Sequence, residues 1–204
     1  MTPTQLAAKC ESIGRNCEFG YYQRELGLEP VSLLRWAGAP TEGLIAALDS
    51  GFDGLMETAT GTDSDGEWWL TCDRYRITFH SGERVSEVSA EDATNRVRKR
   101  LRWLAAKLMD DIRASEKVMV YSSADFRNAW DAEPLIAAVR RISVCPLLIA
   151  VEFDGAGRDV YQGWPGVWIA EVPRLTPMGG ANMLDVGTWE RVMAEFGRCF
   201  EVAT

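Results

Sequence analysis

The stretch that most constrains this chain runs from about residue 90 to 114. Val97, Leu101, Leu104, Leu108 and Ile112 recur there at helical spacing and form one apolar stripe. That pattern predicts a long helix laid on a core. It feeds Lys117-Val-Met-Val-Tyr-Ser122, which reads as a strand, then a helix over residues 133–141, then a second strand in Cys145-Pro-Leu-Leu-Ile-Ala-Val-Glu-Phe153. Buried apolar strands alternating with helices indicate a parallel sheet covered by helices. Residues 155–166 read as a turn-rich connection, residues 167–172 as a further strand and residues 188–200 as a closing helix. The fold class expected is α/β, with a central mixed, partly parallel sheet.

The first half is more broken. Thr4 can cap a short helix over residues 4–9, and the chain breaks at Gly14. Phe19, Tyr22 and Leu26 fall at helical spacing after Cys17, with Gly27 as the stop. A third helix, capped by Thr41, spans residues 41–48. The Gly/Asp/Thr-rich residues 58–66 read as a surface loop, and residues 67–80 carry the aromatic and β-branched side chains of strands. Arg74, Arg76 and Thr78 alternate with Tyr75, Ile77 and Phe79, which predicts a half-buried strand ending at His80. No linker divides the chain, so residues 1–204 are expected to form a single α/β domain, the N-terminal helical segment packing on the same core.

The net charge of -8 argues against general nucleic-acid binding, which needs a dominant basic surface. Five cysteines, an odd number with no Cys-X-X-Cys pair, fit neither a complete disulfide framework nor a structural zinc site. No run approaches the 18 or so apolar residues of a membrane span, and the N-terminus lacks the pattern of a secretory signal, so a cytoplasmic location is expected. Oligomeric state is not legible at this level.

Chemistry concentrates around Cys17. A thiol at a helix start gains from unpaired amides and the positive end of the helix dipole, which favour thiolate. Asn16 offers an amide that can donate to a developing oxyanion beside the Cys17 backbone N–H. His80 is the chain's only histidine, so any thiol–imidazole pair must use it. Asp125 is the first choice for an orienting carboxylate, because it follows a strand end where ligands of open α/β sheets gather. Asp154 holds the corresponding place after the next strand, and Asp73 is the weaker third choice. The competing reading makes Cys17 a small apolar residue in a tight turn.

The stretch Ser12-Ile-Gly-Arg-Asn-Cys-Glu-Phe-Gly20, continuing through Gln23-Arg24, Gly27, Glu29-Pro30 and Leu33-Leu-Arg-Trp36, resembles the opening of a bacterial family of unknown function described as papain-like cysteine peptidases. Arg74-Tyr75 with His80, the basic helix after them, Val118-Met-Val-Tyr-Ser122 and the Trp189 helix are similar in order and spacing. The resemblance implies a Cys17 nucleophile paired with His80. This chain departs from the family pattern at Gly179-Gly-Ala-Asn-Met183, where acidic and histidine residues are expected.

The leading expectation is thus a thiol-dependent hydrolase or acyl transferase acting on a peptide, amide or thioester bond, with a peptide or glycan-linked substrate. The alternative is a non-catalytic domain that binds a glycan or a partner in surface-polysaccharide metabolism. Its contacts would be Trp68, Trp69 and the helix bearing Arg96, Arg98, Lys99, Arg100 and Arg102. A third possibility is a glycan-modifying enzyme using strand-end carboxylates. No cofactor is indicated: Gly155-Ala-Gly157 and Gly179-Gly180 give neither a dinucleotide fingerprint nor a phosphate loop. Cys72, Asp73 and His80 match no zinc spacing.

Overall fold

The computed structural model describes residues 1–15, 17–153, 160–173, 175 and 185–203. Its centre is a five-stranded sheet. Strands β1 (Cys10–Ser12), β6 (Val118–Ser123), β7 (Leu147–Glu152) and β9 (Val167–Val172) lie side by side and parallel, and β8 (Val160–Trp164) closes one edge antiparallel to β9. Successive side chains on a strand point to opposite faces, and here both faces are apolar. Met119, Tyr121, Leu147, Ile149, Val167 and Ile169 enter one core. Their neighbours Val118, Val120, Leu148, Ala150, Trp168 and Ala170 enter another.

Helices cover both faces. On one side lie α1 (Pro3–Ala7), α2 (Glu18–Glu25) and α6 (Val186–Ala203), through Leu6, Phe19, Tyr22, Trp189, Met193 and Phe196. On the other lie α3 (Thr41–Asp49), α4 (Ala90–Ala114) and α5 (Glu133–Ile142), through Leu44, Leu48, Leu101, Leu108, Leu135 and Val139. The ends of α4 follow from local chemistry: the Ser89 hydroxyl accepts from Asp92 N at 3.1 Å, and Ser115 closes the helix in the left-handed conformation. The α1 cap is Thr2, in a reciprocal box with Gln5, two residues ahead of the expected Thr4. Among the described residues no helix is long and apolar enough to cross a membrane.

A second, antiparallel sheet packs on the α4 side in the order β2 (Ala37–Gly38), β5 (Thr78–Arg84), β4 (Glu67–Cys72), β3 (Ala59–Ser64). Leu70, Cys72, Ile77 and Phe79 join the same core as α4. Thr71, Trp69, Thr78 and His80 lie on the opposite, partly exposed face.

The two sheets correct the sequence reading in three places. The expected loop over residues 58–66 contains β3, paired with β4 from Ala59 to Ser64; an exposed edge strand needs no apolar pattern. The single strand expected to end at His80 is interrupted by a turn in which Arg76 takes a φ of 57° and donates to Cys72 O. Strand β5 then continues past His80 to Arg84. The turn-rich connection over residues 155–166 holds β8 in its later part.

Candidate functional site

Beyond β1 the chain stays paired with β6: Ile13 N donates to Val120 O at 2.9 Å, Ser122 N to Gly14 O at 3.0 Å, and Arg15 N to Ser122 O at 2.9 Å. Gly14 sits at φ 112°, and a Cβ there would lie 3.1 Å from that of Ala39, so only glycine fits without strain. The chain then turns into α2, with Cys17 as its N-cap. The thiol therefore lies past the carboxyl ends of β1 and β6, where open α/β sheets collect ligands. Asn16, the expected oxyanion donor, lies outside the described residues.

Much of the conspicuous sequence around Cys17 is explained by packing. Glu11 is buried, its carboxylate 3.1 Å from Lys117 Nζ and 3.8 Å from Lys107 Nζ. Glu18 is buried and accepts from the Trp189 indole N–H at 3.3 Å. Gly20 lies against Arg35, where a Cβ would come within 2.7 Å of the Arg35 side chain and carbonyl. The Gln23 amide donates to Ala7 O at 3.0 Å and Cys10 O at 3.2 Å. Cys17 is the part-exposed residue among these, and its thiol is not committed to capping the helix. Burial pushes its pKa up to about 11, so desolvation outweighs the depression expected from the helix start.

His80 occupies the middle of β5. Its ring lies 4.5 Å from the Trp69 ring, and Nδ1 is 3.4 Å from Glu67 Oε2. The other Glu67 oxygen accepts from Gly82 N at 2.8 Å, so the carboxylate is held at both ends. The register between β4 and β5 passes from Trp69↔His80 to Glu67↔Arg84, leaving extra residues on β5. Such a bulge bends a strand and re-aims its side chains. Beside it is an open cleft of about 300 Å³ containing Trp69, His80, Glu67 and Arg84.

The carboxylate at the histidine ring is thus Glu67, a residue the sequence reading did not single out. Asp125, the first choice there, forms an ion pair with Arg15 instead. Asp73 accepts the Thr60 hydroxyl at 2.9 Å, and Asp154 lies outside the described residues. Glu67 could have been found only by knowing the hairpin register, which places it two residues along the same face from the partner of His80. Cys72 is buried on the face opposite His80, and among the described residues no three His, Cys, Asp or Glu side chains are grouped to hold a metal ion.

The segment around β2 is bonded both to β5 and to the chain leading into Cys17. His80 N donates to Trp36 O at 3.4 Å, and Ala39 N donates to Arg15 O at 2.9 Å. Residues 36 and 39 are three apart, a span of at most about 11 Å. The Trp36 ring also packs edge-on to Tyr21 at 5.0 Å, one helical turn after Cys17, and Arg24 and Arg35 stack over it at 4.2 and 4.7 Å. Among the described residues no hydrogen bond, ion pair or ring contact joins Cys17 or Asp125 to His80 directly.

No family model, curated protein or solved structure matches this chain.

Proposed function

We propose that the protein is a thiol-dependent hydrolase or acyl transferase of the papain-like kind, with Cys17 as nucleophile, His80 as proton carrier and Glu67 as the group orienting His80. The observation that supports this most is the double attachment of β2, bonded at Ala39 to the strand leading into Cys17 and at Trp36 to the strand bearing His80. In this reading the Cys17 sulfur attacks a peptide, amide or thioester carbonyl and its proton passes to His80 Nε2. Glu67 accepts from Nδ1–H and steadies the imidazolium. Asn16 and the Cys17 N–H donate to the oxyanion. Collapse expels the amine or thiol with the proton from His80, and water or an acceptor amine then releases the acyl group from sulfur.

A thiol with a pKa of about 11 is overwhelmingly protonated at neutral pH, so the reaction depends on base assistance rather than on a standing thiolate. Iodoacetamide labelling followed by peptide mass mapping tests this. At pH 7 Cys17 should label about 10²-fold faster in the native protein than in His80→Ala, the lower end of what a positioned base contributes. Glu67→Gln should fall between them. Equal Cys17 rates in the native protein and His80→Ala would refute the pairing.

A further inference from the structure

The cleft beside His80 has a second chemical character that thiol chemistry does not use. Its wall is the half-buried indole of Trp69, and its volume of about 300 Å³ lies at the small end of ligand sites. That size suits one ring rather than a chain of them. Both oxygens of Glu67 are committed, to His80 and to Gly82 N. The Ser64 hydroxyl, the Asp65 carboxylate and the Arg84 guanidinium border the same cleft. None of these three side chains has a hydrogen-bond or ion-pair partner among the described residues.

Charge decides what such a set can hold. A small anion on Arg84 would meet Asp65 and Glu67, and a cation on the indole face would meet Arg84. A neutral polyol needs both signs, since each hydroxyl donates and accepts: Asp65 takes its protons, Arg84 supplies N–H groups to its oxygens, and Ser64 does either. An indole face complements the apolar C–H face of a sugar ring, whose hydroxyls project toward the rim. We propose that this cleft binds a single neutral pyranose ring, stacked on Trp69 and hydrogen-bonded by Asp65, Arg84 and Ser64. The site stands independently of Cys17, because neither its contacts nor its readout involves the thiol.

The test is an equilibrium titration of the full chain with methyl glycosides of glucose, galactose, mannose and N-acetylglucosamine, read by indole fluorescence and ligand-observed saturation-transfer NMR. At least one should saturate with a dissociation constant of about 1–10 mM, the range for a ligand this small with few contacts. Trp69→Ala should weaken it about tenfold or more, and the exposed substitutions Arg84→Gln and Asp65→Asn severalfold each. Trp103→Ala, which removes an indole 59% exposed on α4, should leave the curve unchanged. The proposal is overturned if no glycoside saturates below about 100 mM. It is overturned equally if binding survives both Trp69→Ala and Arg84→Gln at full strength, or if acetate or tetramethylammonium binds more tightly than every glycoside.

Discussion

The two sheets solve opposite problems. Strand β7 of the parallel sheet is buried from Leu147 to Val151 on both faces, and these five side chains only pack. In the antiparallel sheet only one face is apolar; Trp69, Thr71, Thr78 and His80 line the other, which is part-exposed. The parallel sheet is thus packed on both faces, whereas the antiparallel sheet shares the α4 core through one face and leaves the other part-exposed. The sharpest way to break that division is a pair of truncations. Ile149→Ala should cost about 4 kcal/mol, because truncating a buried branched side chain leaves a cavity between the sheet and the layer of α3, α4 and α5. Thr78→Ala, which loses a hydroxyl pairing with Thr71 at 2.9 Å, should cost under about 1 kcal/mol. Urea midpoints at constant slope measure both, and comparable losses would show that the outer sheet is as integral to the core as the inner one.

The joint between the sheets can be probed through charge. Helix α4 contacts β3, β4 and β5, and its Lys107 and Asp111 meet Lys117 and the buried Glu11 beneath the parallel sheet. Glu11→Gln removes the buried anion from a cluster in which Asp111 still pairs both lysines, and should cost about 2 kcal/mol. Glu57→Gln, which breaks the exposed pair with Arg102 at 3.6 Å, should cost under about 0.5 kcal/mol. Equal costs would mean that the Glu11 cluster is effectively wet.

The same contrast explains what could be read from the sequence. Helix α4 and strands β6, β7 and β9 were legible because burial forces a pattern: Val97 to Ile112 repeat at the helical period, and β7 is apolar from Leu147 to Val151. Strand β3 was not, since Thr60, Thr62 and Asp63 are exposed and carry no periodic signal. The turn at Arg76 hid within residues whose alternation looked continuous. For the site, Cys17 and His80 stood out by residue type and by uniqueness, whereas Glu67 depended on a register that no local pattern encodes. Of the arginines of α4, which read first as a solvated face and only under the alternative as a contact surface, Arg98 donates to Met56 O at 2.7 Å and Arg102 to Leu55 O at 3.1 Å, so these two hold a turn against the helix. Trp68 likewise donates its indole N–H to Val88 O at 2.8 Å, leaving Trp69 as the tryptophan of that pair on the cleft side.

A smaller effect bears on how α2 is held. Gly20→Ala forces Arg35 aside, weakening its bonds to Gly20 O at 3.1 Å and Leu28 O at 2.8 Å. The crowding should exceed the helical gain from alanine, for a net loss of about 1–2 kcal/mol. A thermal shift series with Gly20→Ala and Arg35→Lys reads this directly. Unchanged stability in Gly20→Ala would mean that α2 can slide, and with it the Cys17 turn.

The finest test is the pH dependence of the α4 joint. Burial alone would raise the Asp111 pKa, but hydrogen bonds from Lys107 at 2.6 Å and Lys117 at 2.9 Å more than offset it and hold the carboxyl below its usual value. A carboxyl depressed on folding contributes stability that is present above its unfolded pKa and disappears as pH falls through the folded one. The window is therefore acidic, below about pH 4. Asp111→Asn should cost about 1 kcal/mol at pH 7, and that deficit should shrink steadily as pH is lowered through the window, because the native protein loses the same contribution there. Unfolding curves from pH 7 to 2.5 distinguish this from simple packing loss. A deficit constant across that range would assign Asp111 a steric role and leave Glu11 as the anion that binds α4 to the first strand.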